Sequence, residues 1–301
     1  MVNVGTLKMS EPRLKSVLCS SPAGLHRMAY KEWGDHANTR VLVCVHGVTR
    51  VSGDFDALAR ALSDRYRVVC PDVVGRGRSD KLRDPARYVI PQYVADMVTL
   101  IARVTANGAD DEGVHWFGTS MGGLIGIGLA SLEGSPIRRM VINDIGPVLD
   151  PAAMARIGDY IGQDIRFKSF DEGATYVRMV STPFGPHSDT EWDKLARDVL
   201  VQRPDGHWAL HYDLNLAAPF KALTPEQVAR DQAQLWAAYD AIRCPTLLVR
   251  GEQSDLLSRA TAEEMTRRGP RPALTEVAGV GHAPTFVQPA QIAIARDFLT
   301  G

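Results

Sequence analysis

The sequence predicts an α/β fold: a mostly parallel sheet with helices on both faces, interrupted by an inserted helical cap. Three observations carry this expectation. Strand-length apolar runs alternate with helix-patterned segments. The runs are near-continuous in Val, Leu and Ile, as strands covered on both faces are. The alternation then lapses between Pro147 and about Trp236 before it resumes. In order along the chain, Ser16–Cys19 and Met28–Tyr30 read as a short antiparallel lead-in. Buried strands follow at Val41–Val45, Tyr66–Cys70, Gly113–Phe117 and Met140–Asn143. Between them, Phe55–Leu62 and Val94–Ile101 place apolar residues at i, i+3, i+4 and i+7, the period of an amphipathic crossover helix. In the interrupted stretch, Asp150 followed by Pro151 opens one helix, and Ser188 with Glu191 three residues on opens another as a capping box. The sheet resumes at Thr246–Val249 and Leu274–Val277, and Gln291–Phe298 closes the chain as a helix. The expected organisation is a core from 1–146, a cap from 147–237 and the rest of the core from 238–301.

Composition agrees with a packed globular protein and removes several classes of function. Of 301 residues, 45% are hydrophobic and 23% charged, enough for a sizeable core without disulfides. Lys and Arg number 34 against 35 Asp and Glu, so no net basic field exists to hold nucleic acid or an anionic membrane. Cys19, Cys44, Cys70 and Cys244 form no C-x-x-C pair and read as free thiols. The amino-terminal segment lacks the apolar stretch of a secretory signal, so the cytoplasm is the expected compartment. Gly113–Leu132 carries no formal charge and is long enough for a bilayer, yet Gly118, Gly122, Gly123, Gly126 and Gly128 with His115, Thr119 and Ser120 divide it into a strand, a tight turn and a core helix.

The chemistry concentrates at strand ends. Gly118-Thr-Ser-Met-Gly122 follows a strand and enters a helix, a setting in which small neighbours permit a sharp turn and leave the Ser120 hydroxyl exposed to substrate. A serine alcohol needs a base, and the base an orienting acid. His282 lies in a loop between the last strand and the closing helix, within reach of the sheet's carboxyl edge. His46 suits a structural role beneath the site, His115 that of a hydrogen-bonded core histidine, and His26, His36 and His187 fall in loop-like, solvated sequence. Asp255, on the loop after the resumed strand, is the leading acid; Asp144, at the neighbouring strand end, competes with it. Asp72 and Asp80 are expected to fix a turn.

His46-Gly47, Asp72-x-x-Gly75-x-Gly77-x-Ser79, Gly118-Thr-Ser120-Met-Gly122-Gly123, Gly251-x-x-x-Asp255 and Gly281-His282 together resemble the α/β-hydrolase family over essentially the whole chain. The resemblance implies Ser120 as nucleophile, His282 as base, Asp255 as acid, and an oxyanion hole from the backbone N–H groups of Val48 and Met121. It implies no cofactor. A serine at the elbow disfavours the dehalogenase and epoxide hydrolase relatives, which use aspartate. Ala283 after the histidine disfavours the carbon–carbon bond hydrolases, and the single glycine of His46-Gly47-Val48-Thr49-Arg50 is a poor match to lipases of the Gly-Gly-Gly-x type. The expected partner is a small or medium ester, thioester or lactone, cleaved through an acyl-enzyme. A carbon–carbon hydrolase of diketones and a ligand-binding protein that kept the fold are the alternatives. Arg50, Trp208, His211 and Tyr212 are candidate substrate contacts, although for Arg50 an ion pair with Asp54 is the favoured role, since its fork matches either partner. His207 and His211, spaced i and i+4, have no third ligand in sequence, so no metal is expected.

Overall fold

The computed structural model describes residues 11–106, 113–222 and 224–301; the amino-terminal stretch expected not to be a secretory signal lies, but for Glu11, outside them. The chain enters as an antiparallel hairpin, β1 (Arg13–Ser21) and β2 (Gly24–Trp33). There follow β3 (Val41–Val45), α1 (Asp56–Leu62), β4 (Arg67–Pro71), α2 (Ile90–Thr105), β5 (Val114–Thr119), α3 (Met121–Ala130) and β6 (Ile137–Asn143). The inserted segment contributes α4 (Pro151–Tyr160), β7 (Arg166–Phe167), α5 (Phe170–Val180), α6 (Asp189–Val199), β8 (Leu200–Gln202), β9 (Trp208–Leu210), α7 (Ala217–Lys221) and α8 (Pro225–Ala241). β10 (Thr246–Gly251), α9 (Arg259–Met265), β11 (Ala273–Val277) and α10 (Pro289–Thr300) complete the chain. The main sheet runs β1-β2-β4-β3-β5-β6-β10-β11, antiparallel across β1/β2 and β2/β4 and parallel beyond.

Alternation along β3 shows why the strand is apolar throughout. Val41, Val43 and Val45 enter the core beneath α2, α3 and α8, whereas Leu42 and Cys44 enter the opposite core beneath α1 and α10. The uncharged stretch 113–132 is β5, a turn at Ser120 and α3. That helix lies between the sheet and α2 and α8, so it is apolar all round because it is buried all round. Among the described residues no helix is long and apolar enough to cross a membrane.

The inserted segment is not purely helical, as the sequence had suggested. β7, β9 and β8 form their own antiparallel sheet, and Phe167, Val177, Ala196 and Leu200 pack with Val51 of the main body into a small core of their own. Strands of two and three residues are too short to display a period of two. The expected boundary after residue 237 falls inside α8, whose Tyr239 is buried in the main core. The expected helix starts are present: the Asp150 carboxylate accepts the Ala153 N–H, and Ser188 with Glu191 closes a reciprocal capping box. Hydrogen bonds from Asp213 N–H to the Gly75 carbonyl (2.7 Å) and from Gly281 N–H to the Pro183 carbonyl (2.7 Å) tie the insertion to both sides of the sheet's carboxyl edge.

Candidate active site

Ser120 sits where β5 turns into α3, with φ 52° and ψ −118°, a strained conformation for a residue carrying a side chain. The flanking glycines are what the turn requires. A Cβ on Gly118 would lie 2.2 Å from the Gly122 carbonyl oxygen, and one on Gly122 would lie 2.0 Å from that of Val45. The turn places Ser120 at the amino-terminal end of α3, where unpaired N–H groups favour negative charge. Asp72 and Asp80 hold the adjacent turns, as expected: the first accepts the Ser52 and Arg78 N–H groups, the second that of Arg27.

The Ser120 Oγ is 2.9 Å from His282 Nε2, and His282 Nδ1 is 2.8 Å from Asp144 Oδ2. A carboxylate only accepts, so Nδ1 carries the proton and Nε2 is left with its lone pair facing the serine. Asp144, not Asp255, thus lies behind the imidazole. Asp144 is fully buried, and its second oxygen accepts the Gly251 N–H at 3.0 Å. Its backbone takes φ 58° just beyond β6, a left-handed turn that Asp tolerates and that swings the carboxylate toward the neighbouring β10. Asp255 is on the expected loop after β10 and borders the cavity, but its half-exposed carboxylate pairs with Arg156 at 2.7 Å. Asn143, which the sequence reading did not single out, braces the site. Its amide donates to Thr119 Oγ1 and to the Pro284 carbonyl, joining the serine turn to the histidine loop.

His46 occupies the structural position expected for it. Its Nε2 accepts the Val73 N–H at 3.0 Å, and its Nδ1–H donates to the Gly47 carbonyl at 2.7 Å. That carbonyl shares a peptide plane with the Val48 N–H, so the imidazole fixes the direction in which Val48 donates. Burial is the chief reason its pKa falls to about 4, which keeps this imidazole neutral and the bonding pattern intact. Among the described residues, neither the Val48 nor the Met121 N–H has a hydrogen-bond acceptor.

A cavity of about 270 Å³ opens over Ser120 and His282. Of the expected substrate contacts, Arg50 and Tyr212 line it and Trp208 and His211 do not. Arg50 is closed by a bidentate pair with Asp54, at 2.9 and 2.7 Å. Trp208, on β9, stacks edge-on against Phe170, away from the opening. His211 spends its backbone on Val199 and Gly77 at the seam with the main body. Tyr160 and Tyr176, from α4 and α5, line the cavity instead. Their helices were legible in part, but which face turns inward was not. Elsewhere, His115 bonds to the Tyr66 hydroxyl as a core histidine should. His26 is buried and paired with Asp96 of α2 at 2.9 Å rather than solvated, because β2 pairs with β1, which lies against α2.

Residues 42–295 match the family model described as alpha/beta hydrolase family. The chain is 57% identical, over 97% of its length and 99% of the relative's, to a 3-hydroxybutyrate-oligomer hydrolase of Cupriavidus necator. It superposes with a TM-score of 0.82 on an alpha/beta hydrolase from Novosphingobium aromaticivorans, 34% identical over 97% of this chain and 99% of that one. A putative hydrolase from Rickettsia typhi gives a TM-score of 0.85 at 26% identity, covering 96% of this chain and 99% of the other. On its fold, its sequence and the extent of both matches, this chain belongs to the alpha/beta hydrolase family.

Proposed function

We propose that the chain is a serine hydrolase of carboxylic esters, and that its substrates are short esters of hydroxyacids of the 3-hydroxybutyrate type. The observation that carries the reading is the unbroken chain of contacts from Ser120 Oγ through His282 to Asp144 at the floor of a cavity. His282 Nε2 takes the Ser120 proton as Oγ attacks the ester carbon, and the Val48 and Met121 N–H groups receive the developing oxyanion. Each such donor lowers the barrier by about 3 kcal/mol. The intermediate collapses, the C–O bond to the alcohol breaks, and His282 returns the proton to the departing oxygen. Water, deprotonated by the same imidazole, then releases the acid from Ser120. Asp144 holds the tautomer and stabilises the imidazolium.

Substrate size follows from the cavity. Its volume lies just below the roughly 300–1,000 Å³ of sites for drug-sized ligands, which suits a short branched acyl unit and not a long lipid chain. Leu195, Val199, Leu210 and Leu256 offer apolar walls for a methyl branch, and the hydroxyls of Tyr160 and Tyr176 offer donors for ester or alcohol oxygens. The 57% identity to a 3-hydroxybutyrate-oligomer hydrolase supports the same substrate class.

The test is release of monomer from the dimer and trimer of 3-hydroxybutyrate, followed by chromatography, beside a series of p-nitrophenyl esters of increasing acyl length. Hydrolysis of the dimer, and p-nitrophenyl rates that peak at short acyl chains, are expected, with no turnover by Ser120→Ala. Full activity in Ser120→Ala would end the mechanism. Short aryl esters cleaved while the dimer stays intact would end the hydroxyacid assignment.

A further inference from the structure

Arg76 is the largest charged side chain sealed in the core, 1% exposed. No carboxylate of the described residues lies within ion-pair distance of it. Its Nε donates to the Val48 carbonyl at 2.8 Å, one Nη to the Val74 carbonyl (2.7 Å) and the Tyr93 hydroxyl (3.0 Å), and the other Nη approaches Met121 Sδ at 3.3 Å. The rings of Tyr93 and Tyr88 lie 5.0 and 5.9 Å from its guanidinium carbon. A buried cation is costly without a counter-ion, and a neutral side chain of similar volume would fill the space at lower cost. The two residues it touches, Val48 and Met121, are those whose N–H groups have no acceptor among the described residues and which the proposed mechanism uses as oxyanion donors.

We propose that Arg76 is a positioning residue of the oxyanion site, fixing Val48 and Met121 and supplying the positive field in which the tetrahedral oxyanion forms. The proposal rests on the serine hydrolase reading above. The missing counter-ion is then explained: the charge is left free for an anion that exists only during the reaction, in a low-dielectric setting where such a field reaches far. The same charge disfavours protonation of His46, which holds the Val48 peptide. The backbone of Arg76 also bridges to Tyr212 in the cavity wall, so one residue joins the seam with the insertion to the oxyanion turn.

The test uses the full chain and p-nitrophenyl butyrate, with Arg76→Met and Arg76→Lys. Three quantities are measured: kcat with KM, affinity for butylboronic acid, which becomes a tetrahedral anion on the serine, and affinity for butanol as a neutral competitor. Arg76→Met should lower kcat about 30-fold and weaken the boronate by a similar factor, with KM and butanol affinity within about twofold. Arg76→Lys, which keeps the charge but not the fork, should fall between. Wild-type kcat in a folded Arg76→Met, or equal losses for boronate and butanol, would overturn the proposal. Should Arg76→Met not fold, Arg76→Lys and Arg76→Gln decide it: a clear kcat advantage for Lys supports the field, and equal values overturn it. Activity surviving in Ser120→Ala would instead remove the underlying reading and leave nothing for Arg76 to assist.

Discussion

Two aspartates border the same imidazole loop, and their surroundings separate their roles. Asp144 is buried, held by the Gly251 N–H and aligned on His282 Nδ1, whereas the Asp255 side chain is 52% exposed and faces Arg156. An exposed pair of this kind contributes at most about 1 kcal/mol, so Asp255→Asn should leave kcat within about threefold of wild type. Asp144→Asn keeps the volume but presents an amide to the imidazole, favours the wrong tautomer, and should lower kcat roughly ten thousandfold. Steady-state kinetics on both variants, with circular dichroism as a control for folding, checks the pair; a larger loss at 255 than at 144 would reverse the assignment. Ser120 and His282 were legible because each sits in a local pattern, a glycine-flanked turn and a loop before the closing helix. The acid was not. Both aspartates follow core strands, and what chooses between them is a left-handed backbone at Asp144 and a hydrogen bond from Gly251, 107 residues away, neither of which a linear pattern displays.

The element that most constrains the site is the strand, turn and helix from Val114 to Ala130. Its glycines serve close approach, so adding a single methyl is a test of the geometry. Gly122→Ala would drive a Cβ against the Val45 carbonyl, whose backbone is locked in β3 between β4 and β5, and should cost about 3 kcal/mol or more in urea denaturation. Gly158, in the interior of α4, is the contrast. A Cβ there meets nothing within 4 Å, so Gly158→Ala should stabilise by roughly 0.5–1 kcal/mol through helix propensity and unfolded-chain entropy. Equal effects of the two substitutions would contradict the packing described for α3. Long core strands and amphipathic crossovers were readable to within a few residues because burial imposes a repeating pattern on them. The three-stranded sheet of the insertion was not, since each strand ends before any period is established and its stability comes from α5 and α6 packed over it.

At the scale of the molecule, the fully buried His46 and the half-buried His115 tie the integrity of the site to pH. His46 and His115 both have pKa values lowered to about 4, chiefly by burial, with Arg139 and Arg40 adding to the effect at His115. The folded chain therefore holds these protons less tightly than the unfolded chain, whose histidines titrate at the ordinary value of 6.5. Between pH 6.5 and 4 the unfolded state binds more protons, so stability is complete above that window and is lost as pH falls through it. For His46 alone the loss by pH 5 is on the order of 2 kcal/mol. Asp96 and Asp198, whose pKa values burial raises, act in the opposite sense, so the measurement must compare variants instead of reading one curve. Glu32 adds a second window. Burial opposes its charge, but Lys15 and Arg67 overcome that and bring it to about 2, so its contribution is lost as pH falls from 4.5. His115→Gln keeps a hydrogen-bonding partner for Tyr66 and cannot be protonated. Its melting temperature should fall less than that of the wild type between pH 7 and 5, by about 2 °C. Parallel curves for the two proteins would mean that the fold does not hold His115 neutral across this range.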